Sequence, residues 1–496
     1  MSEKYYHGVR VQEEDSGAIT QATGTAGLQV IFGTAPVNLA QDPEAVVNVP
    51  VVCADMDEAK KKLGYSDDWA SYTLCQAMYA SFQMYAVSPV VFINVLDPQK
   101  HKKDNAEAEY PVTDAVAAVP VSGVIRSSVA VKIAGASEGG DQTLAEDTDY
   151  LLSYTEDGSL LITMVSDTAK AAAMVKVVSS SVDPSVVTEA DLIGGYDAVT
   201  GKESGLEVLR WVYPKTGMTA GLVSAPGWSH KPAIAAVMMA KCGAINGVFQ
   251  AMCLLDLDTE QADKYTDAPE YKENIAYTGK NAVVLWPMAK VGQKVMYYSA
   301  LYGAMVSYTD AANDDVPSIS PSNILLGVSG AVTADGTEVY MDREQANTLN
   351  GAGVVTLLNE TGWRSWGNNT AAFPGTRETK DRWIACKRMF IWEANSLITI
   401  YNARVDSPAN FRLIESIVDA ENIRLNSYMA AGKLAGGKVT YNEQENDIEN
   451  ILDGRLTFRV SIAAWTPAED ILFILKFDPD MLREALAGSY EGGEEA

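Results

Sequence analysis

The side chains in this sequence best suited to chemistry are three histidines, His7, His101 and His230, the last directly following Ser229. A serine beside a histidine on an α/β scaffold invites a hydrolytic reading, in which the imidazole takes the hydroxyl proton during attack. His7 lies in a terminal stretch that reads as an arm. His101 falls in a charged loop with Lys100, Lys102 and Lys103, which leaves His230 as the base. Adjacent residues on one turn rarely aim at each other in triad geometry. No GxSxG elbow is present, since Gly327-Val328-Ser329-Gly330 lacks the second spacing. An α/β hydrolase using Ser229 and His230 is therefore the disfavoured alternative, and His230 reads as a surface residue at a helix start.

Phosphate and metal chemistry fare no better. The segment from Gly195 to Lys202 is one residue too long for a phosphate loop, and Glu203 stands where a magnesium-holding hydroxyl belongs. Gly351-Ala352-Gly353 lacks a third glycine and precedes a strand, so it reads as the left-handed end of a helix over 343–349. Asp256, Asp258 and Glu260 alternate like the opening of a calcium loop, but Gln261 occupies the position of the sharp turn. They read as solvated acids at a strand end, and Asp310, Asp314 and Asp315 are sparser still. Asn368-Asn369-Thr370 is a formal glycosylation acceptor without an export route. The five cysteines, Cys53, Cys75, Cys242, Cys253 and Cys386, form no CxxC pair and read as buried apolar residues in a reducing compartment. No catalytic residue, cofactor or metal is expected.

The totals point the same way. The chain has 496 residues, 47% of them hydrophobic and 21% charged, which suits about three packed domains. Its net charge of -27, from 65 acids against 38 bases, disfavours a nucleic-acid surface. It suits a subunit that must stay soluble at high concentration before assembly. The polar first ten residues lack the apolar core of a secretory signal, and the stretch from Ala233 to Leu255 is broken by Lys241, Gly243 and Gly247. A surface-array protein, the second alternative, would need the missing export signal. No membrane insertion is expected.

The elements that would position any site follow an alternating pattern. Short apolar strands are expected at 28–32, 90–95, 221–224, 252–256 and 282–286, separated by helices. Asp55 caps one helix, and Pro232 opens another. Between them, a stretch rich in Val, Ser and Thr carries a hairpin, with strands 150–154 and 160–164 around Asp157-Gly158. It reads as an inserted β-sandwich-like domain. The last hundred residues predict helices over 381–401 and 410–429, a strand at 438–441, a helix ending at Gly454, and strands at 456–462 and 471–477. The fold class is thus α/β with a parallel-sheet core. The boundaries read as an arm at 1–25, a core at 26–104 and 196–375, an inserted β domain at 105–195, a C-terminal α+β domain at 376–480, and an acidic tail at 481–496.

Several ordered segments resemble the contractile phage tail sheath family. They are Tyr6-His7-Gly8-Val9-Arg10-Val11-Gln12-Glu13, Ile31-Phe32-Gly33-Thr34-Ala35-Pro36, Asp147-Thr148-Asp149-Tyr150 and Ala225-Pro226-Gly227-Trp228-Ser229 with Leu255-Asp256. Farther on come Ser320-Pro321-Ser322-Asn323, Gln345-Ala346-Asn347-Thr348-Leu349-Asn350 before Trp366-Gly367, Ala431-Gly432-Lys433-Leu434-Ala435-Gly436-Gly437, and Thr466-Pro467-Ala468-Glu469. The resemblance implies a subtilisin-like core serving assembly, and hexameric rings stacked as a helical sheath around a tail tube protein. It also implies a tube-facing last domain, an outward-facing inserted domain, baseplate and tail terminator partners, and a place in the virion tail after assembly in the host cytoplasm. Terminal arms would add strands to neighbouring subunits. The strand candidates are Tyr6, Val9 and Val11 in the first arm and Leu472, Ile474 and Phe477 near the end. Arg412, Arg424, Lys433 and Lys438, bases of an otherwise acidic chain, are the candidate tube contacts; solvated helix faces with paired acids are the other reading of the same bases.

Overall fold

Apolar runs of three to six residues, largely buried on both faces, build a central sheet of eight strands in a computed structural model. Residues 26–137, 140–155 and 158–488 are described. The expected arm strand with Tyr6, Val9 and Val11 lies outside the described residues, as do Asp157 of the expected turn and the Gly/Glu-rich end.

The central sheet runs Val51–Cys53, Val90–Asn94, Gln29–Gly33, Leu222–Ser224, Met252–Asp256, Ala282–Leu285, Val354–Asn359, Trp363–Trp366. Its inner members are parallel, and the two edge strands are antiparallel. Helices cover the sheet, which is why its strands read as continuous apolar runs rather than alternating ones. Local signals set their ends. Asp55 accepts from the Glu58 amide ahead of helix Met56–Leu63, and Pro232 is the first residue of helix Pro232–Gly243. Asp342 and Gln345 form a capping box on helix Arg343–Gly351, and Gly353 follows it at φ 73°.

The inserted segment forms one seven-stranded antiparallel sheet between Lys102 and Val182. Its hairpin pairs Tyr150 with Met164 and Tyr154 with Leu160, and burial alternates along both strands. Val131, Val175 and Val177 from one half of the sheet share a core with Ala117, Leu152 and Ile162 from the other. Strand Lys102–Thr113 belongs to both halves of the sheet, which close over this one core.

Beyond the core come helix Ile384–Tyr401, helix Phe411–Ala430 capped by Asn410, and a two-stranded hairpin of Gly436–Tyr441 with Phe458–Ala463. The chain divides into two compact units, one ending at Thr466 and one starting at Pro467. In the second, residues 467–478 carry no regular secondary structure, and helix Pro479–Gly488 follows. The strand expected at 471–477 is thus corrected: its residues have strand propensity, but a strand exists only where a ladder partner does. Ile471, Leu472, Phe473, Ile474, Leu475 and Phe477 are all exposed, Leu475 to 97%. Among the described residues no helix is long and apolar enough to cross a membrane.

Candidate functional site: assembly surfaces

Ser229, the only residue with a hydrolytic reading, sits in the turn that carries the chain from strand Leu222–Ser224 into helix Pro232–Gly243. Its hydroxyl donates to Asp256 Oδ2 at 2.9 Å and accepts from the Asp256 amide at 3.0 Å. Asp256 also accepts from the Ser299 amide at 2.8 Å and the Ser299 hydroxyl at 2.5 Å, and Tyr277 donates to the Ser229 carbonyl. All of these residues are buried. His230 instead stacks on Tyr297, with centroids 5.7 Å apart, and burial lowers its pKa. The arrangement ties three elements together at the strand ends and presents no nucleophile to solvent.

Three sequence expectations are corrected here. Asp256 is a buried acceptor rather than a solvated acid. His230 is largely enclosed rather than a surface residue. His101 is only 2% exposed: its Nδ1 accepts from the Asp97 amide, and its Nε2 lies 3.4 Å from Asp191. Among the described residues no group of three or more His, Cys, Asp or Glu could hold a metal. The five cysteines are buried free thiols, and burial pushes Cys53 and Cys75 up to about 12.

Burial also pushes the Asp256 carboxyl up to about 6, against the pull of the Ser299 and Ser229 hydrogen bonds. An unfolded aspartate titrates near ~3.9, so between about pH 4 and 6 the folded state holds a proton that the unfolded state has lost. The stability from this group is complete below about pH 4 and lost as pH rises through about 6. Asp256→Asn keeps an acceptor for the Ser299 amide and removes the titration. Between pH 4 and 7, denaturant titrations should show the variant gaining on the order of 2 kcal/mol relative to the parent. Parallel pH profiles would show that Asp256 does not titrate in this window.

The two edges of the C-terminal hairpin differ. The Asn422 side chain, on helix Phe411–Ala430, donates to the Val439 carbonyl at 3.0 Å and accepts from the Val439 amide at 2.9 Å. Val439 therefore turns its backbone groups away from the partner strand, and so does Val460 opposite it. On the same register Phe458, Val460 and Ile462 aim N–H and C=O groups outward from the other edge. One edge is covered by Asn422; among the described residues no strand pairs with the other, which is open. The side chains of Phe458, Val460 and Ile462 pack toward the cluster of Leu425, Leu434 and Val439. Nothing in the sequence marked Asn422, whose role depends on a contact 17 residues away.

The predicted bases do not stay together. Arg424 is taken up inside the subunit, bonded to Glu393 Oε1 and Glu421 Oε2, both at 2.5 Å, while Tyr401 donates to Glu421 at 2.7 Å. Lys433 donates to the Asn313 carbonyl at 2.9 Å and to Asp314 at 2.5 Å. Arg412 and Lys438 are exposed. Of the predicted strand residues, Leu472, Ile474 and Phe477 are exposed, but Phe477 belongs to the opposite face of an extended chain from the other two.

The mixed α/β fold described above is similar to that of solved chains from contractile injection systems. The chain is similar to the sheath of an extracellular contractile injection system, PVC, in its contracted state, with TM-score 0.56, 15% identity, and coverage of 97% of this chain and 100% of that one. It is similar to a chain of the anti-feeding prophage baseplate, with TM-score 0.55, 15% identity, and coverage of 96% and 99%. No family model matches the sequence. Its curated relatives are tail sheath proteins. That of Burkholderia phage BcepMu is 23% identical over 498 residues, covering 99% of this chain and all of the relative. That of Escherichia phage P2 is 23% identical over 296 residues, covering 57% of this chain and 69% of the relative. The resemblance carried by short segments thus extends over nearly the entire chain.

Proposed function

We propose that this chain is the structural subunit of a contractile tail sheath, in a phage virion or a phage-tail-like particle. The carrying observation is similarity to a tail sheath protein across 99% of this chain and all of the relative. The subunit polymerises as stacked hexameric rings around a tail tube, engages baseplate and terminator proteins at its ends, and shortens to drive the tube through an envelope. Its work is repacking rather than catalysis, a reading supported by the enclosed hydroxyl of Ser229. The finer reading of the core as subtilisin-like rests on its run of parallel strands. The inserted β domain faces outward and the C-terminal helices and hairpin face the tube.

Strand addition links the subunits. Residues 471–477 of one copy lie along the open Phe458–Ala463 edge of another, and the arm containing Tyr6, Val9 and Val11 adds a further strand. Main-chain hydrogen bonds then keep copies joined while their domains move. A contact between different surfaces propagates as a helix instead of closing as a dimer. The apolar face of Phe473, Leu475 and Phe477 points at the helix Phe411–Ala430 side, continuing the row of Phe458, Val460 and Ile462; Lys476 falls on the solvent side.

Negative-stain electron microscopy of the purified protein should show hollow, cross-striated tubes. Only dispersed single particles, at concentrations where the tube protein itself assembles, would overturn the reading. With Arg424 and Lys433 engaged internally, the tube contact falls to Arg412 and Lys438. Arg412→Glu with Lys438→Glu should reduce co-assembly with tube at least tenfold in pelleting assays, with unchanged melting. Normal co-assembly would remove both residues from the interface.

A further inference from the structure

The first described residues enter the fold through a buried ionic clamp. Ala26 packs with Val316, Met389, Trp392 and Leu425, and its carbonyl accepts from Arg388 Nη2 at 3.2 Å. Gly27 lies so close to helix Tyr298–Ala311 that a Cβ there would come within 3.0 Å of Ser307 Cα and 3.1 Å of Asp310 Oδ2. The Gly27 carbonyl accepts from the Ser307 hydroxyl at 2.6 Å. The Leu28 carbonyl accepts from the amides of Gly221 and Leu222, and Gln29 opens the central strand.

Arg388, on helix Ile384–Tyr401, meets Asp310, on helix Tyr298–Ala311, in two parallel contacts, Nη1 to Oδ1 at 3.0 Å and Nη2 to Oδ2. Their side chains are 4% and 1% exposed. A buried ion pair seldom stabilises a fold more than an apolar pair of equal volume. What an apolar pair could not supply is the directed hold on the Ala26 carbonyl, by a fork that also joins two long helices.

We propose that the Arg388–Asp310 pair is a positioning anchor for the chain's N-terminal end. It fixes the chain at Ala26, so that a pull passed on through Ala26 moves helices Tyr298–Ala311 and Ile384–Tyr401 as one. This rests on the reading that the N-terminal arm is donated to another copy. Apolar packing alone would let the root slide between the helices under tension, and the linked copies would part.

Two variants of the full chain test the anchor. Arg388→Lys keeps the charge without the fork, and Arg388→Met with Asp310→Leu removes both charges without orphaning either. In folded subunits, hydrogen exchange at the Gly221 and Leu222 amides, which donate to the Leu28 carbonyl at the root, should rise at least tenfold, while peptides covering Met252–Asp256 stay as in the parent. Mean polymer length in electron micrographs should fall at least fivefold. If the paired variant does not fold, the lysine variant carries the test. Parental exchange at the root in a folded variant overturns the anchor. So does parental polymer length in a variant when a chain lacking residues 1–15 forms no polymers. Normal polymers from that truncated chain would refute arm donation itself, and the anchor's role with it.

Discussion

Replacing Phe473 and Phe477 with serine is expected to abolish polymerisation and leave the free subunit's melting temperature unchanged. Both rings are exposed in the isolated chain, so their removal takes nothing from its core. In the proposed added strand the same rings lie on the apolar face, where burying a phenylalanine is worth about 1.5–3 kcal/mol. At ~2 kcal/mol each, every substitution lowers the association constant about 30-fold, and the pair lowers it about a thousandfold. Leu472→Ser with Ile474→Ser, on the opposite face, should weaken assembly far less. Ile474→Pro should match the double phenylalanine variant, because it removes an amide from the added strand. Pelleting and negative stain read all of these. Equal losses from both faces would refute the assigned orientation, and normal assembly of the phenylalanine variant would refute strand addition by this segment.

Deleting residues 1–15 should produce a folded subunit that cannot extend beyond short oligomers. On the proposed reading these residues pair with another copy and not with their own core, so the stability of the truncated chain should stay within about 0.5 kcal/mol of the parent, as for changes remote from a core. Each lost strand removes a row of backbone hydrogen bonds between copies, each worth roughly 0.5–1.5 kcal/mol. Around a helical lattice these losses recur at every subunit, so polymer length falls steeply with a modest loss per contact. Sedimentation velocity should show monomers or small rings where the parent gives tubes. Parental tubes from the truncated chain would show that the arm is dispensable.

Where local chemistry decides structure, the sequence was readable. Apolar runs marked the strands Met252–Asp256 and Ala282–Leu285, and Asp55 and Pro232 marked helix starts. Period-two alternation marked the strand pair Tyr150–Tyr154 and Ser159–Met164. Tertiary pairing was not readable. Asp256 looked solvated because its partners Ser229 and Ser299 lie 27 and 43 residues away. Arg388 and Asp310, 78 residues apart, carried no shared signal, and neither did His101 and Asp191. Arg424 is held by Glu421, three residues before it on the same helix, together with the distant Glu393, and Lys433 is held by Asp314, 119 residues away; the two distant acids carried no signal in the sequence. Residues 471–477 mislead in another way: their propensity for a strand is plain, but propensity does not say which chain supplies the partner.

The most direct measurement is the polymer's own structure at side-chain resolution by electron cryo-microscopy. The account predicts that residues 471–477 of each copy form an added strand against Phe458–Ala463 of another copy, with Phe473 and Leu475 turned toward the Phe411–Ala430 helix. A map in which those residues fold back onto the hairpin of their own copy, with the arm likewise kept at home, would contradict it.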